Sequence, residues 1–151
     1  MKIKIPNYKE FFKFLSEINY DFIIDINNLL FIKDSFNKLD LIYKLNPNDK
    51  LNPNDKLNPN DKLNPNDKLN PIKFLYICSE SNINKLDIKY INQHHYIYIT
   101  PAYVDDDLYI INAYLHKYKI NPNIKIITND LYRDHINKYK LNNTLRMIKI
   151  S

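Results

Sequence analysis

The chain has 151 residues, 44% hydrophobic and 13% aromatic, enough for one domain with a real core and against disorder. With no glycine and a single cysteine it can carry no P-loop, no GxGxxG dinucleotide fingerprint, no disulfide and no cysteine-based zinc site. The net charge is +5, almost all from lysine because Arg133 and Arg146 are the only arginines; that balance suits nucleic acid, but lysine also follows the AT-rich codon bias that enriches Asn, Ile and Tyr.

The opening MKIKIPNYKEFFKF lacks a continuous apolar run and reads as no signal peptide. Apolar stretches elsewhere break before membrane-spanning length, so a soluble intracellular protein of cytoplasm or nucleus, without membrane contact, is expected. Phe11, Phe12, Leu15 and Ile18 recur at helical spacing and predict a helix over 7–18. The run YDFIID (20–25) predicts a buried strand that ends on a carboxylate, Asp25. Phe36, Leu39, Ile42 and Tyr43 predict a helix over 35–45.

Residues 45–71 are four copies of LNPNDK and a truncated fifth. Asn-Pro and Asn-Asp pairs favour open turns, and each unit has one apolar residue, so the segment reads as a flexible insertion looped out of the domain. Strands follow at 72–80 and 95–100, the second ending at Pro101. Residues 105–119 start with three aspartates and continue with Leu108, Ile111, Ala113 and Leu115, a helix with acids at its positive end. NIKIIT (123–128) predicts a fourth strand, 129–139 a closing helix, and 146–150 a short edge strand. The alternation implies an α/β fold of three layers, a mostly parallel sheet with helices on both faces.

In such sheets, sites form beyond the carboxyl ends of the strands. Asp25 ends the first strand, Asp105, Asp106 and Asp107 follow the third, and Asp130 follows the fourth, with Asp134 expected one helical turn further on the same face. Carboxylates crowded in this way repel, and two arginines cannot offset them. A hard divalent cation, Mg²⁺ or Mn²⁺, can, and it leaves positions for a phosphate. Each element has a plainer reading: the triple aspartate as N-cap and dipole complement, Asp25 as a turn residue, Arg133 and Asp134 as a solvated pair. His94 and His95 read as strand-edge polarity, His116 as helix-face polarity, Tyr96 and Tyr98 as packing residues, and Cys78 as a small core residue.

Three segments, FFKFLSEINYDFIIDINN, YIYITPAYVDDDLYIINAYL and TNDLYRDH, resemble in order the NYN branch of the PIN-like metal-dependent ribonucleases. The resemblance is greatest to the nuclease domain of protein-only RNase P; Regnase-like endoribonucleases share the paired acids and the N-D-x-x-R-D ending. It covers nearly the whole chain outside the repeats. It implies a PIN-like fold, Mg²⁺ or Mn²⁺ as cofactor, and endonucleolytic cleavage of RNA such as a tRNA precursor. Asp25, Asp106, Asp107 and Asp130 would be the catalytic, metal-binding aspartates, with Asp134 an additional acidic ligand. Asn28 would steady Asp25, while Asp105, Asn129, Arg133 and His135 would support the site or position RNA. The chain departs from the family at Ile26, where glycine is usual, and at Leu108, where tryptophan is common. RNA-binding repeats and a zinc site are absent from the sequence, so a protein partner supplying RNA specificity is implied, or direct binding through lysines and exposed tyrosines. A catalytically inactive RNA- or protein-binding domain of the same fold is the alternative.

Overall fold

A computed structural model describes residues 3–44 and 72–150; the expected repeat insertion at 45–71 lies outside the described residues. Helix α1 is Tyr8–Ser16, strand β1 Phe22–Asp25, α2 Ile26–Leu29 and α3 Ser35–Lys44. They are followed by β2 (Phe74–Ser79), a 3₁₀ segment (Glu80–Lys85), α4 (Ile88–His94) and β3 (Tyr96–Thr100). The chain continues through α5 (Asp106–Tyr118), β4 (Lys125–Ile127), α6 (Arg133–Tyr139) and β5 (Met147–Ile148).

The five strands form one sheet in the order β3-β2-β1-β4-β5, and every pairing is parallel, where the sequence predicted a mostly parallel one. Alternation along the strands assigns side chains to two cores. Ile23, Leu75, Ile77, Tyr98 and Ile126 face one layer with Phe11 and Leu15 of α1 and most of α5. Ile24, Phe74, Tyr76, Cys78 and Ile127 face the other, with Ile26, Leu29, Leu39 and Ile91 of α2, α3 and α4. Burial on both faces explains why these strands read as unbroken apolar runs.

Helix α5 occupies the middle of the first layer and is buried through Tyr109–Leu115, where each large apolar side chain contributes about 1.5–3 kcal/mol. Asn112 is the one buried side-chain amide of that stretch and is fully used. Its Oδ1 accepts from the Ile3 N–H at 2.9 Å, and its Nδ2 donates to the Ile3 and Leu108 carbonyls at 2.7 and 2.9 Å. Asn7 precedes α1 without capping it through its side chain, because Nδ2 donates to Tyr98 and Oδ1 accepts from Tyr109.

The structure adds two helices and changes three expectations. Helix α2 is too short to leave a period, and α4 lies in 81–94, where Asp87 caps it by accepting from the Tyr90 N–H. His95 is buried rather than strand-edge polarity; its Nδ1 accepts from the Phe74 N–H at 3.1 Å, its ring stacks on Phe74, and burial pushes its pKa down to about 4. His94 lies in α4 rather than on a strand. The closing helix starts at Arg133, not at 129, so Asp130 and Asp134 do not share it.

Candidate functional site

The site stands at the carboxyl rim of the sheet, beginning with Asp25 on the central strand, 2% exposed. Its Oδ2 accepts from the Tyr132 hydroxyl at 2.6 Å and from Thr128 Oγ1 at 2.9 Å, while Oδ1 takes the Asn28 N–H at 3.4 Å. Burial nevertheless holds this carboxyl above its ordinary range, and the charge on Asp130 pushes the same way.

The segment after β4 is shaped by its own side chains. Thr128 Oγ1 accepts from the Asp130 N–H at 3.0 Å, and Asp130 Oδ1 accepts from the Tyr132 N–H at 2.8 Å. These bonds satisfy backbone donors locally and delay the helix, as short polar side chains do. Tyr132 then adopts φ 52°, ψ 33°, a left-handed backbone that is rare for a bulky residue and worth about 1–3 kcal/mol of strain. Its buried ring, its N–H and its hydroxyl are all engaged, which holds the conformation. Asn28 Oδ1 accepts from the Asn129 N–H at 2.8 Å, and Asn129 Oδ1 from the Ile150 N–H at 2.9 Å. The ends of β1 and β4 and the last residues of the chain are thereby tied together. Asn28 bonds Asp25 through its backbone N–H, while its side-chain oxygen accepts from Thr128 Oγ1 and the Asn129 N–H and so braces the neighbouring strand.

The loop from β3 delivers the remaining acids. Asp105 caps α5 by accepting from the Asp107 N–H at 3.0 Å, which holds Asp106 and Asp107 in the first turn. Ligand oxygens of Asp25, Asp106 and Asp107 all lie within 4.8 Å of one another. The Asp106 side chain is buried, and burial followed by repulsion from Asp25 and Asp105 pushes its pKa up to about 7. The same causes, with Asp106 and Asp130 added, push Asp107 up to about 8. Among the described residues two buried side-chain oxygens lack a hydrogen-bond partner, Asp106 Oδ2 and Thr100 Oγ1; both belong to this rim.

A second group, Asp105, Asp107 and His135, also has its ligand atoms within 4.8 Å. His135 Nε2 lies 3.0 Å from Asp105 Oδ2, and Nδ1 lies 4.0 Å from Asp107 Oδ2. Asp107 is common to both groups. An open cavity of about 470 Å³ runs beside them, its wall including Asp107, Asn129, Asp130, Arg133, Asp134 and His135.

The structure therefore brings Asp25, Asp105, Asp106, Asp107 and His135 together, with Asp130 near enough to act on Asp25 and Asp107 by its charge. Asp134 and Arg133 are exposed on the first turn of α6 and line the cavity without joining either group. Sequence reasoning missed Thr128 and Tyr132, the two hydroxyls that fix Asp25. The threonine left a signal, a small hydroxyl ending a buried strand just before Asn-Asp. The tyrosine left none, because its reach depends on a left-handed turn.

The donors fit a hard divalent cation: they are carboxylate oxygens, mutually repelling, and one is buried with nothing to bond. A second cavity, about 350 Å³ between α3, α4 and β2, lies in the other layer with its own aromatic lining and none of these acids. No protein-family model, curated protein or solved structure matches the chain, so the chemistry of the rim rests on its own residues.

Proposed function

We propose that this chain is a metal-dependent endoribonuclease of NYN/PIN-like fold that hydrolyses RNA phosphodiesters. One observation carries the reading: Asp25, Asp106 and Asp107, from two segments far apart in sequence, converge within 4.8 Å while Asp106 keeps a buried oxygen unpartnered. A purely structural rim would have satisfied or exposed that oxygen.

Asp25, Asp106 and Asp107 would hold Mg²⁺ or Mn²⁺, with Asp130 contributing charge beside them. Such an ion supplies Lewis acidity toward a phosphoryl oxygen and a more acidic water. The chain's residues prepare for it. Thr128 and Tyr132 fix the direction of Asp25, and Asp105 sets the first turn of α5 so that Asp106 and Asp107 point to the same place. Arg133, exposed on the cavity wall, offers its planar N–H fork to a phosphate. His135, held against Asp105, closes the acidic group on the side of α6.

The resemblance to protein-only RNase P makes precursor tRNA the first substrate to try, with a protein partner as the source of RNA specificity. The test is incubation of the full chain with labelled precursor tRNA and with unstructured RNA, in Mn²⁺, in Mg²⁺ and in chelator. Cutting that needs the ion and is lost in Asp106→Asn supports the enzyme. Binding with no cutting under any condition overturns it in favour of a silent RNA-binding domain.

A further inference from the structure

The two most exposed large apolar side chains among the described residues are Tyr103, 84% exposed, and Phe31, 81% exposed. Both are aromatic, and both stand on loops that leave the carboxyl rim where the acids meet. Tyr103 lies between the end of β3 and Asp105; Phe31 follows α2, the short helix that Asp25 begins. Each occupies the third position of a hydrogen-bonded turn. The Val104 N–H bonds the Pro101 carbonyl at 3.2 Å, and the Ile32 N–H bonds the Leu29 carbonyl at 3.1 Å. The rings are thus presented to water on defined backbone rather than on chain ends.

Exposing a ring at such a place has a physical rationale if the substrate is a polyanion. Asp25, Asp105, Asp106, Asp107, Asp130 and Asp134 repel a phosphate chain, and exposed Arg133, Lys33 and Lys149, on segments that leave the same rim, offset that repulsion only in part. A binding contribution that does not depend on charge is needed to hold RNA beside six carboxylates. Stacking of a base on an aromatic ring supplies it, and every base has a face to offer. A base inside a duplex does not, because its faces are covered by its neighbours.

We propose that Tyr103 and Phe31 are stacking platforms for unpaired nucleotides, and that the substrate segment engaged at this rim is single-stranded RNA. This rests on the endoribonuclease reading for its biological setting, but its measurement does not require cutting. The full chain carrying Asp106→Asn, to prevent cleavage, is titrated by fluorescence anisotropy against a labelled unstructured 12-mer RNA and a blunt RNA duplex of the same composition. Adding Tyr103→Ala is expected to weaken single-strand binding by about tenfold, Phe31→Ala by a similar factor, and Tyr103→Phe to leave it unchanged. Duplex binding should not move. Neither side chain is buried, so the variants should fold, and matching circular dichroism spectra check this. Single-strand binding unaltered in both alanine variants, or an equal loss on duplex and single strand, overturns the proposal. Ring-dependent binding in a protein that never cuts RNA would sink the enzyme reading and leave the stacking surface standing; cutting with no dependence on either ring would do the reverse.

Discussion

Along the single helix α5, buried polarity is treated in two opposite ways. In its middle, Asn112 uses its carbonyl and both amide hydrogens, and it ties the start of the chain to the core. In its first turn, one helical stretch away, Asp106 keeps a buried oxygen with no partner and a pKa near 7. The first arrangement is what stability selects: buried donors and acceptors paired. The second works against stability, and it lies where carboxylates from another strand converge. Within one helix the contrast separates what holds the fold from what the fold is holding in readiness.

The sharpest way to break the contrast is to neutralise the acids. Asp25→Asn and Asp106→Asn should each lower Mn²⁺-dependent RNA cleavage by more than about a thousandfold, since a bound ion supplies several kcal/mol of transition-state stabilisation. Cleavage rates on labelled RNA at saturating Mn²⁺ are the readout, and a loss below tenfold would remove these residues from the chemistry. In the middle of the helix the effect should fall on folding instead. Asn112→Ala should destabilise by about 2–4 kcal/mol in urea melts, with or without cation, because it strands the buried N–H and carbonyl of Ile3. Were Asn112→Ala to alter Mn²⁺ affinity rather than stability, the division would collapse.

A subtler probe is Tyr132→Phe, which deletes only the hydroxyl that bonds Asp25. It should weaken Mn²⁺ binding by about ten- to a hundredfold in calorimetric titration, the usual effect of losing a group that orients a ligand. Unchanged affinity would mean that Asp25 is held well enough by Thr128 alone. The last probe is pH. Asp106 and Asp107 are pushed up to about 7 and about 8, from an ordinary 3.8, by burial and mutual repulsion. Between those limits the folded protein binds more protons than the unfolded chain, so stability without cation should fall as pH rises from about 4 to about 8. The same logic gives Asp106→Asn a melting temperature at pH 8, without cation, above that of the unsubstituted chain. Melts in chelator across that range test both, and a midpoint that climbs with pH would contradict the crowding of charges.

Much of this was legible from the chain. Apolar runs buried on both faces gave β1, β2, β3 and β4 within a residue or two, and strand-end carboxylates at Asp25, Asp106 and Asp107 marked the rim. What escaped depends on distance in space. Helix α2 spans four residues, too few for a period; the start of α6 was displaced because Tyr132, bonded to Asp25, takes a left-handed backbone that an α-helix does not continue through. The pairing of His135 with Asp105 joins residues thirty positions apart, and no spacing rule announces it. His95 was misread because a polar residue preceding an edge strand looks solvated until the Phe74 N–H is seen to need an acceptor.

Tyr132 has a wider consequence. Helix α6 packs only half-buried Ile136 and Tyr139 on the core, so the buried ring just ahead of it fastens the start of that helix to the central strand. Breaking the Tyr132–Asp25 bond would free the start of α6 and one hold on Asp25 together. Amide exchange over 133–139 should therefore slow when Mn²⁺ is added, coupling occupancy at the rim to the closure of the last helix.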